Sequence, residues 1–211
     1  EKVHFSFRTL PSQITLKDIS PFVPILAHFK EPITLDMQVK GTVDQLTCSH
    51  LEITADDRQF RLSGDVSLQE LSSPQDAYVY GKLSELSANN RGVGFLVRNL
   101  SSNYNGVPPL LERLGDIDFR GEISGYFTDL VTYGQLRTGL GNVKTDLKLS
   151  SDKAKGLFAY SGAVKTEEFE LGKLLNNEKL GEITFNLDVH GRHIEKQLPA
   201  VELKGLIASV E

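Results

Sequence analysis

One short pattern is written three times along this chain, and it constrains the fold more than any other feature. Residues Gly115 to Leu130 read GDIDFRGEISGYFTDL. From Ile117 the run alternates without a break. Ile117, Phe119, Gly121, Ile123, Gly125 and Phe127 fall on one side, with Asp118, Arg120, Glu122, Ser124 and Tyr126 on the other. A period of two over this length specifies a strand with one apolar and one wetted face. An earlier copy runs from Ile33 through Leu35, Met37 and Val39 to Gly41, and a later one from Ile183 through Phe185, Leu187 and Val189 to Gly191. The first two copies also continue alike, as Gly41-Thr-Val-Asp-Gln-Leu46 and Gly125-Tyr-Phe-Thr-Asp-Leu130. Their starts lie 84 and then 66 residues apart, and a short helix-like segment precedes each. Degenerate repeats that lengthen one sheet are the economical reading.

The rest of the chain fits that frame. Residues 2–16 predict one or two strands broken at Pro11-Ser12, and Lys17 to Phe29 predict a first helix with Ile25, Leu26 and Phe29 on its apolar side. Leu51 to Leu68 predict a hairpin around Ala55-Asp-Asp-Arg58, and a strand follows at Ala77 to Leu86. Asn89 to Leu100 and Val107 to Leu114 predict short helices. Strands are then expected at Gly134 to Thr138, Gly141 to Leu149 and Gly156 to Lys165, at the spacing of an antiparallel meander. Glu168 to Leu180 predict a third helix that opens on the acidic pair Glu167-Glu168. A final strand runs from Ala200 to Ser209. The expected fold is therefore mainly β: an elongated antiparallel sheet, or a half-open, gutter-shaped β sandwich, with about three short helices at its edges. Residues 1–211 read as a single module. Alternation is already under way at Val3, Phe5 and Phe7 and continues to the end, as expected of a segment of a longer chain.

Charge and cysteine content narrow the function. The net charge is −5 with the signs interleaved and no basic cluster. Nucleic-acid surfaces and polybasic membrane patches both need concentrated Lys and Arg, so nucleic acid is not an expected partner. Cys48 is the only cysteine, which excludes an intramolecular disulfide. No apolar run approaches the ~18 residues of a membrane-spanning helix.

No catalytic constellation can be assembled. His190 and His193 are three apart, but on a strand and a turn, and no third metal ligand lies nearby. Ser150-Ser-Asp-Lys153 has the Ser-x-x-Lys spacing of penicillin-recognising enzymes without their partner motifs, and it falls in a hairpin turn. Gly92-Val-Gly94 and Gly139-Leu-Gly141 complete no phosphate loop. Asn99-Leu-Ser101 is a glycosylation sequon in form. The expectation is a protein without enzymatic activity, metal or cofactor. What stands out is the apolar row. It is either a core closed by a second sheet and the helices, or a face left partly open as a groove for an apolar partner.

The order of these motifs resembles a known family. A short helix, then Ile117-x-Phe-x-Gly-x-Ile-x-Gly-x-Phe-Thr-Asp-Leu130, then Tyr133-Gly-x-Leu-x-Thr-x-Leu-Gly-x-Val-x-Thr-Asp-Leu147, is similar to the AsmA/TamB-like envelope proteins, particularly the long versions typical of Bacteroidetes. Phe158-Ala-Tyr-Ser-Gly162, Phe169-Glu-Leu-Gly-Lys-Leu-Leu175 and Leu180-Gly-x-Ile-x-Phe185 continue the resemblance, which covers roughly residues 15–207 and carries no catalytic motif. It implies a non-enzymatic internal segment of a periplasmic protein whose parent chain is anchored in the inner membrane outside this segment. It also implies a gutter-shaped sheet with an apolar lining, serving phospholipid passage or outer-membrane protein assembly. Expected partners are phospholipid or other acyl chains and an outer-membrane assembly protein. The lining would hold Ile33, Leu35, Val39, Ile117, Phe119, Ile123, Ile183, Phe185 and Val189 on one face. The alternative is a structural or adhesive β module with a closed core, binding protein through a sheet edge.

Overall fold

The computed structural model describes residues 3–21, 24–55, 58–73, 76–101, 104–152, 157–194 and 200–210. Its strands are β1 (Phe5–Arg8), β2 (Ser12–Thr15), β3 (Pro32–Gly41), β4 (Leu46–Thr54), β5 (Phe60–Gln69), β6 (Tyr78–Ala88), β7 (Ile117–Tyr126), β8 (Asp129–Thr138), β9 (Gly141–Asp152), β10 (Leu157–Glu170), β11 (Glu182–Ile194) and β12 (Ala200–Val210). The α-helices are α1 (Asn90–Leu100), α2 (Pro109–Arg113) and α3 (Leu171–Leu175), and two 3₁₀ turns occupy Leu16–Ile19 and Pro24–His28. All twelve strands form one open antiparallel sheet in nearly sequential order, with β1 and β2 both pairing β3 at one edge and β12 at the other. Of the two expected forms the sheet is the open one: the described residues contain no second sheet.

The repeats are structural. Each copy of the pattern is the first strand after a helical segment: β3 after Pro24–His28, β7 after α2, β11 after α3. Gly41 and Gly125 occupy the same place in their hairpins. Gly41 pairs Leu46 and Gly125 pairs Leu130, each five residues further along the chain, and each has a positive φ, 138° and 131°. A side chain there would run into the carbonyl of Gln45 or Asp129, so the turn demands glycine twice. The first two units therefore span four strands each, β3–β6 and β7–β10, and the third shows its first two, β11 and β12.

Bulges keep the apolar residues on one face. In β4, Leu46 and Cys48 are even-numbered and Leu51 and Ile53 odd-numbered, yet all four point the same way. The register shifts between Cys48 and Leu51, where His50 takes φ 57°. The same device reconciles Leu83 with Leu86 in β6, and Thr166 with Phe169 in β10, where Glu168 has φ 51°.

Helix α1 fills the expected span from its Asn89 cap, and the other helices are shorter than the sequence predicts. Lys17 to Phe29 form two separate 3₁₀ turns instead of one helix. The third helix is confined to Leu171–Leu175, because strand pairing with β11 carries β10 as far as Glu170. Glu167 and Glu168 thus sit at a strand bulge, not in a helical first turn. Phe127 falls in the β7–β8 turn rather than on the apolar row. His193 is in strand β11 rather than a turn, and its side chain lies outside the described residues, as do the hairpin tip at Asp56 and Asp57 and Lys153 of the Ser-x-x-Lys match.

Two packed clusters lie under these helices. In the larger, Phe95 of α1 is 1% exposed and meets Phe29 edge-on at 5.3 Å and Phe60 in a stack at 5.9 Å, over Ile33, Leu35, Ala55, Ala88 and Val93. Burying each of the larger of these side chains stabilises by about 1.5–3 kcal/mol. The smaller joins Leu140, Phe169 and Ile183 with Leu114, Leu171, Leu174 and Phe185. Helix α1 begins on Asn89, whose side chain accepts from the Gly92 N–H at 3.0 Å.

Candidate functional site

Residues opposite one another in neighbouring strands share a face, so the register resolves the sheet into rows that cross it from edge to edge. The row nearest the helices includes Ile14 and Ile33, then Phe60, Ala88 and Ile117. The next runs Leu35, Ile53, Leu62, Leu86, Phe119, Leu136, Val143, Thr166, Phe185 and Ile207 through ten strands. Its one polar member, Thr166, is 3% exposed and donates its hydroxyl to the Asn142 carbonyl at 2.6 Å. A row of small and aliphatic residues follows, with Leu51, Gly64, Leu83, Gly121, Gly134, Thr145, Val164, Leu187 and Gly205. Beyond it lie Phe7, Val39, Cys48, Val66, Gly81, Ile123, Thr132, Leu147, Gly162, Val189 and Leu203.

All nine candidate lining residues thus stand on one face, and Leu35, Phe119 and Phe185 share one row. Their cover differs. Ile33, Leu35 and Ile183 are 1%, 6% and 7% exposed and belong to the closed clusters, so at those three positions the expected groove is a core. Ile117 and Phe185 are half-buried and pack against those clusters. Val39 is buried outside them, and Phe119, Ile123 and Val189 are half-buried outside them. The physical reason is the placement of the helices, which lie over one margin of the face and leave the rest without a covering element among the described residues. In β9, Val143 packs against the smaller cluster and Thr145, Leu147 and Leu149 are half-buried outside it, while Asn142, Lys144, Asp146 and Lys148 are exposed.

The glycine row makes a shallow trough across the strands, and Phe119 lies down in it. A Cβ at Gly121 would stand 2.8 Å from Phe119 Cζ, and one at Gly134 2.6 Å from the same atom. The ring therefore covers both glycines and takes the space that two side chains would fill. Tyr160 lies over Gly191 in the same manner. At ~4.8 Å per strand spacing the row from β3 to β12 extends for roughly 40 Å.

The opposite face is wet. Arg61 reaches Glu52 at 2.9 Å and Glu85 at 3.7 Å, and Lys148 pairs Asp129 at 3.0 Å. Cys48 stands on the apolar face, where burial first and the nearby Asp65 second push its thiol up to about 11, so it stays protonated. A cleft of about 360 Å³ opens at the helix-covered margin between Arg58, Ser87, Asp116, Asp118 and Arg137. Among the described residues its lining holds no histidine, cysteine or lysine, and Asp118 is held by Arg120 at 3.2 Å. His190 is exposed on the wet face, and among the described residues no three potential ligands converge on a metal.

One functional-looking motif is given a structural role. Asn99 of the sequon is 2% exposed. Its carbonyl oxygen accepts from the N–H groups of Lys30 and Glu31, both at 3.0 Å, while its amide donates to the Phe95 carbonyl and to Glu31 Oε1, both at 2.9 Å. It fastens α1 to the strand entry and is closed to modification.

The nine expected lining residues come only from the first strand of each unit. The intervening strands contribute as much of the face, through Ile53, Leu62, Leu136 and Leu147. Their alternation was visible in the meander, but the bulges in β4 and β6 broke its parity. No helix among the described residues is long and apolar enough to cross a membrane, which leaves crossing by strands unaddressed. No family model, curated protein or solved structure matches the chain.

Proposed function

We propose that this chain is a non-enzymatic segment of a periplasmic envelope-biogenesis protein, in which the open part of the apolar sheet face carries the acyl chains of phospholipid, in the service of lipid passage or outer-membrane protein assembly. The observation that carries the reading is the continuous apolar face, without a covering element beyond the helix-bearing margin among the described residues. The resemblance to AsmA/TamB-like proteins supplies the compartment and the tether to the inner membrane.

The energetics suit passage. Taking a sixteen-carbon chain out of water is worth on the order of 12 kcal/mol at ~0.8 kcal/mol per CH₂. A bilayer already provides that. A face that merely matches the bilayer lets lipid cross water at little net cost, whereas a tight pocket would hold it back. No reacting group is needed for such a step.

The test is native mass spectrometry of protein purified without detergent and incubated with phosphatidylethanolamine vesicles. Bound phospholipid is expected, and Ile123→Asp together with Leu147→Asp should abolish it while the far-ultraviolet circular dichroism of a β protein is retained. Protein that stays lipid-free under these conditions, or variants that still carry lipid, would overturn the reading.

A further inference from the structure

Lysine and arginine are scattered along the sequence, but strand pairing gathers three of them on the wet face. Arg120, Gln135, Lys144 and Lys165 stand opposite one another on β7, β8, β9 and β10, a row without a carboxylate. Lys144 and Lys165 are direct cross-strand partners, an arrangement in which like charges destabilise a sheet.

Elsewhere the sheet resolves such a conflict from within. Asp36 opposes Glu52, but Arg8 lies 3.8 Å from the first and Arg61 2.9 Å from the second. Glu170 opposes Glu182, and Lys173 reaches Glu170 at 2.6 Å. The lysine pair is only half resolved. Glu167, largely exposed, lies 3.4 Å from Lys165, whereas Lys144 has no carboxylate within 4.0 Å among the described residues.

Beside the two lysines is a cleft of about 180 Å³, lined by Gln135, Asn142, Lys144, Lys165, Thr166 and Glu167. The side-chain amides of Gln135 and Asn142 have no hydrogen-bond partner among the described residues, although Gln135 is half-buried. Two ammonium groups and two amides therefore bring donors to one small space, whose lining has a single carboxylate, that of Glu167. Pockets for whole small molecules begin at about 300 Å³, so this one fits a single charged group.

We propose that this cleft binds a phosphate group. The Lys144 and Lys165 ammonium groups flank it, and the Gln135 and Asn142 amides donate to its remaining oxygens. A carboxylate has one charge and two oxygens for these donors, whereas a phosphate brings a second charge and more acceptor oxygens. It supplies the counter-charge that Lys144 lacks and relieves the opposition of the lysines. Glu167 competes for Lys165, which favours a doubly charged anion over a singly charged one. The group arrives as free phosphate or as the phosphomonoester head of a lipid, since both present the same oxygens. The site is on the face opposite the acyl-chain reading and stands without it.

The experiment titrates inorganic phosphate into the ¹⁵N-labelled whole protein at about pH 8, where phosphate is mostly doubly charged. Sodium chloride at matched ionic strength is the control. Saturable amide shifts are expected at Gln135, at residues 142–145 and at residues 165–167. Lys144→Gln should weaken binding about tenfold, the loss of one charge-assisted hydrogen bond. Glu167→Gln should tighten it. Lys144 is exposed, and its removal ends the like-charge contact. Lys144→Gln should therefore melt no lower than the parent in phosphate-free buffer, while losing the rise in Tm that phosphate gives the parent. Three results would each overturn the assignment: chloride reproducing the shifts, shifts spread equally to Lys148 and Lys204, or Lys144→Gln binding as tightly as the parent. A second arm sediments the protein with phosphatidylcholine vesicles that contain phosphatidic acid. Co-sedimentation that free phosphate reverses and Lys144→Gln abolishes supports the site with a lipid head as its occupant. Protein left in the supernatant, with phosphate still bound in the titration, supports it with free phosphate.

Discussion

Leu35 and Phe119 sit in the same row of the same sheet, four strands apart, and live in different surroundings. Above Leu35 lie α1 and the Pro24–His28 turn, with Phe29 and Phe95 closing over it. Phe119 has no element above it among the described residues, and its ring folds onto two glycines of its own sheet. The alternation that produced both positions is identical. The covered margin is thus a protein core in the ordinary sense, while the remainder is a face that satisfies itself sideways. The comparison teaches that a repeat can be uniform in sequence and divided in role, with the division set by where the short helices land.

The sharpest way to break that comparison is to cut one large side chain from each region. Phe95→Ala should cost about 3–5 kcal/mol, the usual range for deleting a buried aromatic. Ile123→Ala on the open face should cost about 1 kcal/mol or less, because little of a cavity forms. Urea midpoints at constant m-value measure both, and equal costs would erase the distinction. Charge insertion makes the second test. Phe185 packs against the Leu140–Phe169–Ile183 cluster, so Phe185→Asp should lose roughly 3 kcal/mol, with Phe119→Asp losing about half as much and leaving a folded sheet. Circular dichroism of the two variants decides, and loss of folding in both would make the whole row a core.

Asn99→Ala should cost about 2 kcal/mol, since two backbone N–H groups lose their acceptor where little water can reach them. Faster amide exchange at Lys30 and Glu31 should accompany it. The smallest effect belongs to the exposed Arg98–Glu31 pair, at 3.0 Å and 3.3 Å. The Arg98 guanidinium, aided by the Asn99 amide and opposed by burial, holds the Glu31 carboxyl below its ordinary value. A carboxyl lowered on folding contributes stability that is full above its unfolded pKa of ~4.3 and is lost as the pH falls through the lower folded value. Both side chains are about 40% exposed, and solvent screening limits the pair to roughly 0.2–1 kcal/mol. Arg98→Ala should therefore lower stability slightly at pH 7 and flatten its decline below pH ~4.

The face was legible because period two is a local property. Ile33, Ile117 and Ile183 each open a run whose parity a one-residue slip would invert, so their shared direction followed from the chain alone. The equivalence of Gly41 and Gly125 was legible for the same reason, since each turn needs its own positive φ. The bulges at His50 and Glu168 were not, because a bulge appears only against a partner strand. Nor was the start of the third helix, which waits until pairing of β10 with β11 ends at Glu170.

The sequence by itself determined, then, that this protein is a repeated β sheet with one apolar side, and which residues of β3, β7 and β11 lie on that side. Only the tertiary structure decided that no second sheet closes over it among the described residues, that α1, α2 and α3 gather at one margin, that Phe119 fills the glycine trough, and that Asn99 is a fastening and not a surface group. Alternation fixes the direction of a side chain through the backbone of its own strand. Whether anything stands opposite that side chain depends on residues tens of positions away, and on where the packing of Phe29, Phe60 and Phe95 brings them to rest.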